Sequence, residues 1–155
     1  MEVRYIIRKV DQSNNEDMVK VMELRKNTIE DYVGGENEYF KEDPVSEIYL
    51  MELANGTPLA TMTLTPDFYG IRLRMLAVAK KYQKGGVAAY LIRYLIWANV
   101  HRLKPGQFIH MMARVHLVEW YKTFGSKEVG KPFLRWGQPH QILFSTVQDD
   151  PDPIN

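Results

Sequence analysis

Alternating apolar and polar positions divide the chain into short strands and two longer helical stretches. Residues 3–10 mix charged with β-branched and aromatic side chains in loose alternation, which predicts a first strand. Ser13 or Asn14 can cap a following helix, whose first turn carries Glu16 and Asp17 at the end where negative charge is favoured. Met18, Val19, Met22, Arg25, Lys26 and Ile29 continue it at amphipathic spacing. Gly34-Gly35-Glu36-Asn37 breaks the pattern, and a polar loop is expected to run on to Pro44. Residues 47–54 and 59–65 read as a hairpin around Asn55-Gly56, and 71–78 as a fourth strand after a turn at 66–70.

A second helix is expected over 86–103. Val87, Leu91, Ile92, Tyr94, Leu95, Ile96 and Trp97 make it apolar on nearly every side, so it should be largely buried against a sheet. Lys104-Pro105-Gly106 ends it. A short buried strand over 108–115, a short helix over 117–124 and two strands at 127–134 and 138–147 follow, the last pair around Trp136-Gly137. The acidic, proline-bearing stretch 148–155 reads as a flexible tail. The pattern is that of one α+β domain over residues 1–147 with a mixed sheet.

Composition narrows the function classes. Hydrophobic residues make up 45% of the 155 and charged residues 25%, the balance of a globular protein. Twenty basic against nineteen acidic side chains give no basic footprint for nucleic acid. No cysteine is present, which excludes disulfides, thiolate metal sites and a cysteine nucleophile. Four histidines without close helical spacing predict no metal site. The longest apolar run, 94–100, is far short of the ~20 residues a bilayer span needs, and no signal peptide is evident. A cytoplasmic location with no membrane contact is the expectation. Asn55-Gly56-Thr57 matches a glycosylation sequon, but an Asn-Gly pair between extended segments reads as a hairpin turn.

The richest chemistry lies between the fourth strand and the second helix, at Gln83-Lys84-Gly85-Gly86-Val87-Ala88. The first amides of a helix have no internal partner and carry partial positive charge, so a strand, a glycine turn and a helix in that order can hold an anion. Gly85 and Gly86 would let a phosphate approach the backbone, and Ala88 keeps the first turn slim. Gln83 and Lys84 can add side-chain donors, while Lys80, Lys81 and Lys84 make the field positive. Neither G-x-x-x-x-G-K-[ST] nor G-x-G-x-x-G is present. The glycines alone leave two readings open, a plain strand-to-helix turn or an anion site.

The run from Val78 to Ala88 resembles the coenzyme A-binding motif of the GNAT superfamily, V-x-P-x-Y/W-R/Q-x-x-G-I/V-G/A. Val78, Tyr82, Gln83, Gly86, Val87 and Ala88 match it, while Lys80 and Lys84 stand where proline and glycine are frequent. Trp120-Tyr121-Lys122-Thr123-Phe124-Gly125-Ser126 is similar to the family's F-Y-x-x-x-G-F, with serine in place of the last aromatic. His116-Leu117, Trp120-Tyr121 and Gly137-Gln138-Pro139-His140 resemble the ElaA-like branch in particular.

The resemblance implies an acyl-CoA N-acyltransferase fold: α/β in three layers, with a mixed, mostly antiparallel sheet of about seven strands and flanking helices. It implies acetyl-CoA, or another acyl-CoA, as co-substrate, with no metal. The acyl group would pass to a primary amine of a small molecule or peptide by direct attack through a tetrahedral intermediate. The pantetheine arm would run along Met75, Leu76, Ala77 and Val78, with the Leu76 N–H polarising the thioester carbonyl. The pyrophosphate would rest on the amides of Lys84, Gly85, Gly86, Val87, Ala88 and Ala89. The resemblance implies that Tyr121 protonates the departing thiolate, whereas burial frequency alone reads it as a core aromatic beside Trp120 and Phe124.

The general base has five candidates, Glu47, Glu52, His110, His116 and His140. Arg72 and Arg74 share one face of a strand and are placed to hold an acceptor carboxylate, with Arg114 and His116 as further acceptor contacts. Two other readings keep the fold: long-chain transfer from an acyl carrier protein docking on Lys80, Lys81 and Lys84, or a non-catalytic acyl-CoA-binding module. Exposed end strands are compatible with a homodimer.

Overall fold

The computed structural model describes residues 4–28, 43–135 and 137–145. Most of the polar loop after the first helix, Trp136 and the 148–155 tail lie outside the described residues. Seven strands and three helices follow in the order β1 (Tyr5–Lys9), α1 (Asn15–Thr28), β2 (Glu47–Leu53), β3 (Pro58–Asp67), β4 (Gly70–Val78), α2 (Val87–Asn99), β5 (Phe108–Arg114), α3 (Val118–Lys122), β6 (Ser126–Arg135) and β7 (Gln138–Ser145). The strands form one sheet in the order β1-β2-β3-β4-β5-β7-β6. Among the described residues only β4 and β5 are parallel, and α2 is the crossover between them.

Side-chain alternation sorts the residues onto two faces. Val21 and Leu24 of α1 cover Ile48 and Leu50 of β2 and Ala77 of β4. On the other face Val87, Leu91, Ile92, Leu95 and Ile96 of α2, with Val118 and Tyr121 of α3, pack on Met51, Leu59, Leu64, Leu73, Ile109, Met111 and Leu143. Leu91, Ile92, Leu95 and Ile96 are fully buried, and each such side chain stabilises the fold by roughly 1.5–3 kcal/mol. The result is a helix–sheet–helix sandwich, as the resemblance implies.

Two helical expectations need correction. Val19, placed on the inner stripe of α1, is 56% exposed, and the buried face joins the expected Arg25 to Asp17, Val21 and Leu24. That face is half polar, so apolar spacing could not locate it. Asp17 accepts both terminal nitrogens of Arg8 at 2.6 and 2.7 Å, while Arg8 Nε and Lys20 Nζ each reach Glu52 at 2.7 Å, tying α1 to β1 and β2. Asn14 Oδ1 accepts the Asp17 N–H at 3.1 Å, the expected cap.

α2 ends at Asn99, followed by a 3-10 turn at Val100–Arg102, and is not buried all round. Asn99 Nδ2 donates to the Leu95 carbonyl at 2.8 Å, and its Oδ1 accepts from Arg102, whose guanidinium forks onto Glu47. Tyr90, Tyr94 and Trp97 line an outer aromatic ladder, and Trp97 remains 40% exposed.

Arg25 is fully buried, the largest departure from the ordinary fate of a charged side chain. Its Nη1 donates to Asp43 Oδ2 at 2.8 Å and its Nη2 to Asp43 Oδ1 at 3.2 Å and Thr63 Oγ1 at 2.9 Å. The pairing offsets the cost of desolvation and pins α1 to the chain just before β2.

Candidate active site

The site is built where β4 and β5 part. They pair only from Gly70↔Phe108 to Leu73↔Met111. Beyond that point each strand is held by its other neighbour. β5 stays in register with β7 as far as Arg114↔His140, and β4 stays with β3 as far as Val78↔Ala60. Neither strand can follow the other, so a slot opens between residues 74–78 and 112–114.

A bulge sharpens the divergence. Thr63 pairs with Arg74 and Thr61 with Ala77, so Met75 and Leu76 share the single place opposite Met62. Met75 takes a left-handed φ of 57°, uncommon outside glycine. Met75 and Leu76 are therefore absent from the register of both neighbouring strands. At the closed end, a Cβ on Gly70 would lie 2.0 Å from the Phe108 carbonyl oxygen, so a side chain there would force the strands apart.

The open end of β4 runs into the glycine loop. A 3-10 turn at Lys80–Tyr82 follows Val78, and then Lys84 (φ 68°) and Gly86 (φ 82°) both turn left-handed before α2 begins. The first helical bond runs from the Tyr90 N–H to the Gly86 carbonyl at 3.0 Å. The amides of Val87, Ala88 and Ala89 thus lie in a first turn with no acceptor four residues back. With Lys80, Lys81 and Lys84 exposed around it, this end of α2 suits a pyrophosphate.

The Gln83 side chain takes a different role from the one expected. Its Nε2 donates to the Val78 carbonyl at 3.1 Å, closing the turn between strand and helix rather than extending toward a phosphate.

Tyr121 lies on α3 in the core cluster that also contains Val78, Val87 and Ala113, with Leu76 and Ala88 packed against that cluster. Trp120 meets its ring edge-on at 4.9 Å. Burial pushes the phenol up to about 12, so it is protonated throughout the physiological range. Its hydroxyl has no hydrogen-bond partner among the described residues. Ser126, standing where the family motif has an aromatic, is buried and bonds Ser145 across the β6–β7 pair at 2.9 Å.

The candidate bases are scattered. Glu47 is forked by Arg102, whose hydrogen bonds hold it below the usual carboxylate range despite burial. Burial alone would raise Glu52, but hydrogen bonds from Arg8 and Lys20 bring it net below that range. Both belong to β2, two strands from the slot. His110 pairs with Asp67 at 3.0 Å near the closed end. His116 is exposed in the 3-10 turn after β5. His140 is buried at the open end opposite Arg114, and its Nδ1 donates to the Gln138 carbonyl at 2.8 Å. A carbonyl can only accept, so Nδ1 carries a hydrogen.

Arg74 and Arg114 are half-buried beside the slot, and Arg72 is half-buried in the paired stretch before it. The register places Arg72 against His110 and Arg114 against His140. What sequence reasoning missed is the bulge at Met75 and Leu76, which carries no glycine or proline to mark it. Among the described residues no three His, Asp or Glu side chains cluster as metal ligands, and no helix is long and apolar enough to cross a membrane.

Residues 35–142 match the family described as acetyltransferase (GNAT) domain. Escherichia coli ElaA has the same fold with a TM-score of 0.73 at 16% identity, covering 94% of this chain and 100% of that one. An acyl-CoA N-acyltransferase from Pseudomonas aeruginosa gives 0.72 at 15% identity, with 94% and 100% covered. A GNAT family acetyltransferase from Elizabethkingia anophelis, solved with acetyl-CoA bound, gives 0.68 at 15% identity, with 92% and 98% covered. No curated protein sequence matches the chain significantly.

Proposed function

Because the chain belongs to the acetyltransferase (GNAT) family, we propose that it is an N-acyltransferase moving a small acyl group, most simply acetyl, from coenzyme A to a primary amine. The observation that carries this reading is the continuity of the β4–β5 slot with the amide cradle at the start of α2. An extended pantetheine arm fits the slot by adding main-chain hydrogen bonds to the freed edge of Met75, Leu76, Ala77 and Val78. The pyrophosphate fits the amides from Lys84 to Ala89.

Bound acetyl-CoA supplies an activated acyl carbon, and the chain supplies position and protons. The Leu76 N–H, released from the ladder by the bulge, polarises the thioester carbonyl. The deprotonated amine nitrogen bonds the acyl carbon to give a tetrahedral oxyanion, and the carbon–sulfur bond then breaks as the carbonyl re-forms. The ammonium proton of the acceptor passes to a base, directly or through water, and among the candidates His140 stands at the open end of the slot. Tyr121 donates its phenolic hydrogen to the departing thiolate, and burial keeps that hydrogen in place.

The test is to incubate the protein with acetyl-CoA and a panel of small amines and peptides, following thiol release and the mass of the acetylated product. Amine-dependent thiol release with a matching product is expected. Thiol release that no amine accelerates would contradict the reading.

A further inference from the structure

The second half of α1 leaves a cavity of about 260 Å³ against the open end of β4. Lys20, Glu23, Leu24 and Asn27 stand at i, i+3, i+4 and i+7, so they face it from one stripe of the helix. Pro58, at the start of β3, and Ala79 and Lys80, just past β4, form the other wall. Leu24 is buried and Ala79 packs on the same core cluster, so part of the floor is apolar. The polar lining has capacity left over. Lys20 Nζ spends one of its three donors on Glu52 at 2.7 Å. The side chains of Glu23, Asn27 and Lys80 are exposed and have no hydrogen-bond or ion-pair partner among the described residues.

Size and place say what kind of ligand fits. Cavities for whole small molecules run from roughly 300 to 1,000 Å³, so this one suits one end of a longer ligand. Lys80 opens the turn that leads to the amide cradle at Lys84, and at most ~14 Å of chain separates the two. On the other side of the cradle lies α3, which shares the core cluster with Val87. Its one cation, Lys122, is tied to Glu119 at 3.2 Å and to Glu128 at 2.5 Å. Lys80, Lys81 and Lys84 have no such carboxylate partner among the described residues. An anionic group leaving the cradle is therefore drawn toward the α1 side.

We propose that this cavity is a subsite for the adenosine 3′-phosphate end of the coenzyme A donor, with Lys20 and Lys80 receiving the phosphate and Leu24, Pro58 and Ala79 the base. The proposal rests on the acyl-transfer reading above. A phosphate monoester carries about −1.5 to −2 charge near neutral pH, which matches two ammonium groups. Glu23 and Asn27 offer acceptors to the exocyclic amine of the base at the rim. The subsite grips the end of the donor farthest from the reacting carbon, so it sets donor affinity and takes no part in the chemical step.

Isothermal titration calorimetry at one fixed ionic strength tests this by comparing coenzyme A with dephospho-coenzyme A, which lacks only the 3′-phosphate. Coenzyme A is expected to bind about tenfold or more tightly, the scale of hydrogen bonds to a charged group. Lys80→Gln should narrow that ratio about three- to fivefold, the upper range for a part-exposed ion pair, and Lys80→Arg should keep most of it. Lys80 is exposed and unpaired, so its replacement leaves the fold intact. Lys81→Gln makes the same change of charge at a residue that does not line the cavity, and it should weaken both ligands alike. A ratio narrowed as much by Lys81→Gln as by Lys80→Gln would place the phosphate elsewhere and overturn the proposal. The two ideas fail differently. Binding of neither ligand sinks the acyl-transfer reading, whereas equal binding of both, or a ratio that Lys80→Gln leaves unchanged, sinks only this inference.

Discussion

Leu73 and Met111 form the last pair of the parallel β4–β5 ladder, and the candidate site begins where their pairing ends. Because β3 and β7 hold the outer edges of these strands, the opening is enforced by the sheet itself.

Gly70 sets the closed end of that opening. Gly70→Ala would place a Cβ 2.0 Å from the Phe108 carbonyl oxygen at a φ of 137°. The expected loss is roughly 2–4 kcal/mol in urea unfolding, with weaker acetyl-CoA binding in the folded fraction. Unchanged stability would mean that β4 and β5 do not meet as described.

The two left-handed residues of the loop should respond with opposite signs. Gly86→Ala adds a side chain at φ 82° and should cost about 1–2 kcal/mol while weakening acetyl-CoA binding. Lys84→Gly relieves strain at φ 68° and should stabilise by up to about 1 kcal/mol. Thermal melts with and without acetyl-CoA distinguish them. Destabilisation by both would show that Lys84 is not strained.

Tyr121 makes a pH prediction. Its phenol lies near 10 when unfolded and is pushed up to about 12 by burial. Folding therefore resists its ionisation: the stability is intact below pH 10 and drains as pH rises through 12. Wild type minus Tyr121→Phe should show an alkaline loss of about 1 kcal/mol by pH 11, measured by denaturant titration. The same variant should slow turnover without changing acetyl-CoA affinity. Matching alkaline curves would place the phenol in water, not in the core.

Glu47 and Glu52 should not be the base. Both are held below the usual carboxylate range by cationic partners, so each stabilises the fold at neutral pH and loses that contribution as pH falls. Glu47→Gln should leave the pH profile of turnover unmoved and kcat/KM within about threefold, since typical base removal costs 100-fold or more. His140→Gln should lower kcat/KM by about 100-fold or more. The reverse pattern would exchange their roles.

Much of the fold was legible because alternation and caps act locally: the β2–β3 hairpin at Asn55-Gly56, the Asn14 cap and the glycine loop all lie near their expected places. The inner face of α1 was not, since Arg25 and Asp17 are buried against partners 9 to 38 residues distant in sequence. Nothing around Met75 announces a bulge, because its cause is the register that β3 and β5 impose from either side. Lys84 adopts a conformation that sequence would assign to glycine. Gln83 shows the opposite failure: the residue type matched the motif, but its side chain serves the turn.

Hydrogen exchange with and without coenzyme A tests the central claim most directly. The account predicts that coenzyme A slows exchange of the amides in two separate stretches, 75–78 on the slot edge and 84–89 at the start of α2, while β1 and β2 are unaffected. Protection of neither stretch at saturating coenzyme A, or protection confined to another part of the sheet, would contradict it.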